Sequence, residues 1–274
     1  MLLTAAGARG LAAGASPLRF ATTPVFLDDQ IALLGRWQSH LEDQLKRPVV
    51  FVQRGNYREI VDLLLADQVD TAWLCGFPYV LHARRLHLVA VPLYQAQPLY
   101  RAHLIVPSQD TRSWQVGDLA GRIFAYSDPL SNSGWLVPRS ELQRGGHDPD
   151  RFFRRGFFTF SHRKVVDAVR SGLADGGAVD GYVWDTLVAQ HPTATSGVRV
   201  AWRSLPHGFP PVVARLGLPQ AERDALAAAL MHMPASPVGV ELLQRLNIDG
   251  FERPRAGLFD SIRALVALQP RTRL

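Results

Sequence analysis

One rhythm constrains this chain more than any other feature. Short apolar runs alternate with amphipathic stretches of helical spacing, and the alternation runs through the chain twice. Residues 18–23 read as a strand. Residues 28–46 read as a helix, because Ile31, Leu34, Trp37, Leu41 and Leu45 recur at spacings of three and four and form one stripe. Residues 48–53 are a second strand. Residues 57–66 are a helix with Ile60, Val61, Leu64 and Leu65 inward. A strand at 71–74, a short helix at 77–84 and a strand at 87–93 complete the first round. The second round places strands at 122–126, 157–160, 177–183 and 198–204, with helices at 135–142, 163–171 and 185–190. Strands alternating with helices of this length predict parallel sheets with crossover helices. The architecture repeats; the amino-acid sequence does not.

Two extended segments stand outside the rhythm. Residues 100–107 (YRAHLIVP) leave the first unit, and residues 211–216 return after the second. One strand out and one strand back predict a two-stranded hinge. The expected division is lobe 1 at 18–97 with 212–274, and lobe 2 at 98–211. The helical tail, at 221–231, 237–246 and 258–268, is then expected to pack back onto lobe 1. At roughly 150 residues per domain, 274 residues suit two such lobes. A cleft between them is a natural place for a small ligand, and hinge closure would trap it.

Composition excludes several classes. Apolar residues make up 47% and charged residues 20%, which fits neither a disordered chain nor a coiled coil. No charge-free apolar run approaches the ~20 residues that span a bilayer. A single cysteine excludes a disulfide framework within the chain and a cysteine-based zinc cage. The net charge of +6 is carried almost entirely by arginine, with Lys46 and Lys164 the two lysines. The arginines are scattered and not interleaved with aromatics, so nucleic acid is not an expected partner. Residues 1–17 (MLLTAAGARGLAAGASP) look like the tail of a secretory signal, with Ala13-Gly14-Ala15 as a small-residue cleavage site. Arg9 interrupts the apolar part, so a disordered N-terminus is the alternative. Export is the expected fate of the chain, and a monomer its expected state.

The strongest local signal is Tyr126-Ser-Asp-Pro-Leu-Ser131-Asn132-Ser133-Gly134-Trp135. A strand ends, a turn follows, and hydroxyls, an amide and a glycine open a helix. Free N–H groups and the helix dipole favour an anion there, although Ser and Asn also cap helices of every kind. Ser161-His162 stands at the next strand-to-helix junction, where a histidine can donate to an anion. Asp185 is expected to end the following strand and to accept from a ligand hydroxyl or amine, or else to cap its helix. In the first unit Tyr57 and Tyr79 open helices and can line the opposing wall. Cys75 stands at a strand end beside Gly76. It is either a buried small hydrophobe or, near a helix N-terminus, a thiolate ligand. His82, His87 and His103 read as surface residues. No GxSxG, HExxH, Walker A or GxGxxG pattern occurs, and a Cys75–His162 pair could form only across the cleft. A binding protein is therefore expected, not an enzyme, with no cofactor and no metal.

With these residues in view the chain resembles the phosphonate/phosphite/phosphate-type periplasmic solute-binding proteins of ABC importers. The resemblance runs from about Leu18 to Leu246. Its most specific part is the segment from Asp128 to Pro138 (DPLSNSGWLVP), similar to the family's D-P-x-S-x-S-G-x-L-V-P. Val69-Asp70-Thr-Ala-Trp73 and Gln97-Pro-Leu-Tyr100 also fall in step. The resemblance implies a type II fold of two α/β lobes closing on a small tetrahedral oxyanion, and an ABC permease as partner. It implies an anion clamp at Ser131, Asn132, Ser133 and Gly134, with His162 as opposite donor and Tyr57 and Tyr100 as lining. Asp185 matches an acidic position only approximately. Asn132 departs from the usual threonine. Cys75 lies outside the phosphonate pattern and is similar instead to the related arsenite-binding sensors, whose partner is a histidine kinase. That branch supplies the alternative function.

Overall fold

The computed structural model describes residues 16–23 and 31–269. Most of the signal-like segment and the expected start of the first helix, residues 28–30, lie outside the described residues. Two mixed sheets organise the rest, in a single α/β architecture. In the first sheet β1 (Leu18–Thr22) lies between β2 (Val49–Gln53) and β3 (Thr71–Trp73), all parallel. Next to β3, β12 (Val212–Arg215) runs antiparallel, then β4 (Leu86–Leu93), and β13 (Gly250–Glu252) forms the edge. The second sheet follows the order β10 (Val198–Arg203), β6 (Ala102–Pro107), β9 (Gly176–Asp180), β7 (Ile123–Tyr126), β8 (Arg155–Phe158). Here β7 pairs in parallel with β8 and β9, whereas β6 is antiparallel to β9 and β10.

The purely parallel sheets expected from the rhythm are thus corrected to mixed ones. Each sheet takes in one segment that crosses between them: β6 on the way out and β12 on the way back. Those segments run against their neighbours. The hinge is also displaced. The paired strands are β5 (Leu99–Tyr100) and β11 (His207–Gly208), with Tyr100 opposite His207 and Leu99 opposite Gly208. The expected strand 100–107 breaks at Arg101, leaving Tyr100 in the hinge and Ala102–Pro107 in the second sheet. Gly208 admits no side chain, since a Cβ would lie 2.6 Å from the Leu258 carbonyl oxygen.

The helical stripe works as its spacing implies. In α1 (Ile31–Leu45) Trp37 and Leu41 are fully buried. The Trp37 ring lies 5.6 Å from Phe20, 5.3 Å from Phe51 and 5.7 Å from Trp73, tying the helix to three strands. Helix α2 (Tyr57–Leu65) is capped by the Asn56 side chain, which accepts from Glu59 N. Helix α3 (Gly76–His82) follows β3 directly. Of the tail helices, α7 (Gln220–Met231) and α8 (Pro237–Leu246) pack on α1, and α9 (Asp260–Ala267) packs on α3 and β11.

Two boundaries differ in ways that bear on function. The strand expected at 177–183 ends at Asp180, whose side chain accepts from Tyr182 N and turns the chain into α6 (Gly181–Gln190). Residues 181–185 are therefore helical. The helix expected at 135–142 begins instead with a wide π turn, Asn132–Leu136, that leads into α4 (Val137–Arg144). Pro138 in the first turn of α4 needs no hydrogen-bond partner there.

Asp70 fastens the strand ends of the first sheet. It accepts from Arg19 N and Nε at 2.9 and 3.0 Å, and from Arg215 Nε at 3.0 Å, so it joins β1, β3 and β12. Burial alone would raise its pKa, but the bonds from Arg19 and Arg215 outweigh burial and hold it below the ordinary carboxylate value. Asp70→Ala should lower stability by about 2–3 kcal/mol, less than for a fully buried pair because both guanidiniums keep contact with water. Urea unfolding at neutral pH measures this, and an unchanged midpoint would show the bridge to be ornamental.

Candidate functional site

The clamp segment lies where β7 ends. Ser131, Asn132 and Ser133 are buried, and the Ser131 hydroxyl oxygen accepts from Gly134 N at 2.9 Å. Gly134 is required by contact: a Cβ there would sit 1.9 Å from Ser127 Oγ and 3.1 Å from His162 Cε1. The turn therefore presses against the imidazole, which opens α5 (His162–Arg170).

Groups from the first lobe and from the hinge meet this turn. Asn132 N donates to Cys75 Sγ at 3.3 Å, and Asn132 Nδ2 donates to the Tyr100 hydroxyl at 2.9 Å. Asp128 takes the first amide of α2, accepting from Tyr57 N at 3.2 Å and from Leu130 N at 2.7 Å. The Tyr57 hydroxyl is 3.4 Å from His162 Nε2. Beside these, Phe77 stacks on Trp135 at 5.9 Å. Ser131, Asn132, Ser133, Gly134, His162, Tyr57, Tyr100 and Cys75 thus form one contiguous cluster. Ser127 Oγ and Asn132 Oδ1 are buried within it without a partner.

The protonation pattern follows from the bonds. Asp180 N donates to His162 Nδ1 at 3.0 Å, so Nδ1 carries no proton and Nε2 does. Burial pushes the His162 pKa down to about 3, which keeps the ring neutral. Nε2–H is then a fixed, uncharged donor. Burial raises Tyr57 and Tyr100 well above the ordinary phenol value, so both hydroxyls keep their protons. Burial also pushes the Cys75 thiol up to about 12, since desolvation outweighs the amide hydrogen bonds from Asn132 and Phe77.

Asp185 is not brought to the cluster. It sits one turn into α6 and accepts from the Tyr94 hydroxyl at 2.5 Å. There it lines a hinge-side cavity of about 500 Å³ with Tyr94, Arg101, His103, Tyr182 and Arg203, and Tyr100 of the cluster borders the same cavity. His103, expected at the surface, is buried in this region, and burial lowers it to about 4. Tyr79 packs against Phe259 at 5.0 Å, away from the clamp contacts. Two carboxyls at the cluster escaped the sequence reading. Asp128 lies inside the clamp motif, where Asp128-Pro129 reads as a turn. Asp180 precedes Gly181 at a strand-to-helix junction, a capping position that could have singled it out. Among the described residues no group of His, Cys, Asp and Glu could hold a metal ion, and no helix is long and apolar enough to cross a membrane.

Two α/β halves joined by a paired hinge, closing on a buried cluster of neutral donors, define a type II binding protein. The chain belongs to the family described as ABC transporter, phosphonate, periplasmic substrate-binding protein, which it matches over residues 20–257. The members of that family bind solutes and are not enzymes. Among curated relatives, the phosphate-import protein PhnD of Mycolicibacterium smegmatis is 27% identical over 176 residues, 60% of this chain and 55% of the relative. A probable phosphite-binding protein PhnD1 of Prochlorococcus marinus is 30% identical over 80 residues, 29% of this chain and 27% of the relative. The chain thus spans about half or less of the curated relatives it matches. Two solved structures share the fold. A binding component of a phosphonate transporter from Pseudomonas aeruginosa superposes with TM-score 0.83 at 20% identity, covering 94% of this chain and 90% of that one. PhnD1 of Prochlorococcus marinus in complex with methylphosphonate gives 0.82 at 18%, covering 91% and 97%.

The buried imidazoles generate a pH prediction. His162 at about 3, and His103 and His207 at about 4, all lie below the unfolded value because burial disfavours the charged ring. Below roughly pH 6.5 these three rings bind more protons unfolded than folded and lower stability as pH drops toward 4, and buried Asp180, raised to about 7, offsets part of that loss because it keeps its proton in the folded chain. The loss should reach at most about 1.4 kcal/mol per pH unit for each ring. Urea midpoints at about pH 8, 6 and 5 measure it, and a flat profile would remove the net excess of the three rings over Asp180.

Proposed function

We propose that the chain captures a small tetrahedral oxyanion, a phosphonate, phosphite or phosphate, between its two lobes and delivers it to an ABC permease. Lobe 1 is taken as residues 18–97 with 212–274 and lobe 2 as 98–211, a division supported by sheet membership and by the β5–β11 pair. The signal-like segment 1–17 supports a periplasmic address. The observation that carries the reading is the donor set. The Nε2–H of His162 is oriented by Asp180 N and faces the Tyr57 hydroxyl, with the clamp turn alongside, its Asn132 amide on Cys75 Sγ and its Gly134 amide on Ser131 Oγ. Donors fixed in a dry site and aimed at an anion need no arginine, since a hydrogen bond to a charged acceptor is already about twice as strong as a neutral one. The printed roles of the relatives, phosphate import and a methylphosphonate complex, favour the same ligand class.

Thermal unfolding with phosphate, phosphite and methylphosphonate tests this. A ligand at about 100 times its Kd adds about 2.7 kcal/mol and should raise the Tm. His162→Ala removes one donor and should weaken binding by roughly 10- to 100-fold. No shift with any of the three anions would overturn the reading.

A second reading, an arsenite sensor that signals to a histidine kinase, is favoured by one observation: the Cys75 thiol touches the clamp amide of Asn132. Cys75→Ser should abolish arsenite binding and spare methylphosphonate binding if the thiol is a ligand. Unchanged titrations with both would remove it.

A further inference from the structure

The clamp chemistry leaves the hinge-side cavity of about 500 Å³ without a task. Strand register builds one of its walls. Arg203 of β10 lies directly opposite His103 of β6 in the antiparallel pair, so the two share one face of the second sheet. Arg101, two residues before His103, joins them at the cavity wall. Arg101 donates to the Ser204 carbonyl oxygen, Arg203 donates to nothing, and among the described residues neither guanidinium pairs with a carboxylate. Asp185, the carboxylate of the same cavity, is held instead by the Tyr94 hydroxyl at 2.5 Å. His103 is 4% exposed, and its Nδ1 meets no hydrogen-bond partner among the described residues. Gly181 lets α6 lie against this ring, since a Cβ there would sit 2.7 Å from His103 Nε2.

The facing wall comes from the turn after β4. Tyr94 and Gln97 exchange main-chain bonds at 2.8 and 3.1 Å, and the two residues between them, Gln95 and Ala96, take φ of 52° and 58°. Neither is a glycine, so this left-handed turn is held from outside: the Asp249 carboxylate accepts from Ala96 N at 2.7 Å. The turn brings both glutamine side chains to the cavity, and Gln95 Nε2 donates to the Tyr94 hydroxyl at 3.0 Å. Leu99, Tyr182 and Pro206 supply apolar surface. With two guanidiniums against one engaged carboxylate, the wall carries an excess of positive charge. A guanidinium with donors to spare suits a carboxylate or phosphate group, which it can grip through two bonds at once. The volume lies in the range of small-molecule sites and exceeds what a lone inorganic anion fills.

We propose that this cavity is a second ligand site, one that takes a small organic anion with its carboxylate or phosphate head on Arg101 and Arg203 and its carbon skeleton on Leu99, Tyr182 and Pro206. The site does not depend on the oxyanion reading. Tyr100 is the member of the clamp cluster that borders it, and the Tyr100 hydroxyl is already bonded to Asn132 Nδ2 at 2.9 Å. Both sites are therefore expected to fill at once.

Calorimetric titration of the whole chain with succinate, glutarate and phenyl phosphate, each with and without saturating methylphosphonate, tests this. At least one probe should bind once per chain, with the same affinity in both conditions. Binding of the dicarboxylates alone assigns a carboxylate head, and binding of phenyl phosphate alone a phosphate head. Arg203→Ala should weaken the probe roughly 10- to 100-fold. Arg203 is exposed, so the variant should keep the wild-type urea midpoint and the wild-type affinity for methylphosphonate. Arg84→Ala removes the same charge from an exposed position outside the cavity and should leave probe binding unchanged. The proposal is overturned if no probe binds, if every probe that binds is displaced by methylphosphonate, or if Arg203→Ala binds the probes as the wild type does. Displacement would make the cavity a pocket for the tail of the clamp ligand. A wild type that binds a probe but no methylphosphonate, phosphate or phosphite sinks the oxyanion reading and leaves this site standing.

Discussion

A main-chain amide decides where the proton of His162 sits, and the character of the cluster depends on that. Because Asp180 N occupies Nδ1, the ring presents Nε2–H toward the Tyr57 hydroxyl. Because the ring is buried, it does so without charge. The neighbouring hydroxyls of Tyr57 and Tyr100 and the Cys75 thiol are held protonated by the same desolvation. The result is a cluster of donors with no net positive charge of its own. Under the oxyanion reading, fixed dipoles of this kind need no reorganisation when the charge of the ligand arrives.

Close packing holds these donors in place. Gly134 lies so near Ser127 and His162 that no larger residue fits, and the π turn spreads the Asn132–Leu136 amides over a wider arc than an α-helical turn would. The turn is anchored at one end by Ser131 Oγ and at the other by Pro138, whose fixed backbone angle suits the first turn of α4. Asp128 then reaches from this turn to the first amide of α2, so one residue contributes to the local turn and to the contact between the two halves.

Elements governed by local periodicity could be read from the chain alone. The Trp37 stripe of α1, the parallel trio around β1 and the clamp turn all follow from spacing and from short-range chemistry. What escaped depends on distant partners. The antiparallel insertion of β6 and β12 is set by where the crossings dock. Asp180 and Asp185 show the difference at one site. Both are acidic and five residues apart, but the strand ends at the first because its side chain can cap Tyr182 N. The second is carried round the helix to Tyr94. Cys75 was ambiguous for a similar reason: its neighbours in sequence suggest a thiolate, and its burial removes one.

The stacked pair Phe77 and Trp135 bridges the two halves beside the cluster, with the Arg139 guanidinium 4.9 Å from the indole centroid. Any motion that parts the halves must pull these rings away from each other and change the surroundings of the half-buried indole. Trp135 thereby serves as a resident fluorophore, its emission colour and quenching bound to whether the jaws are shut.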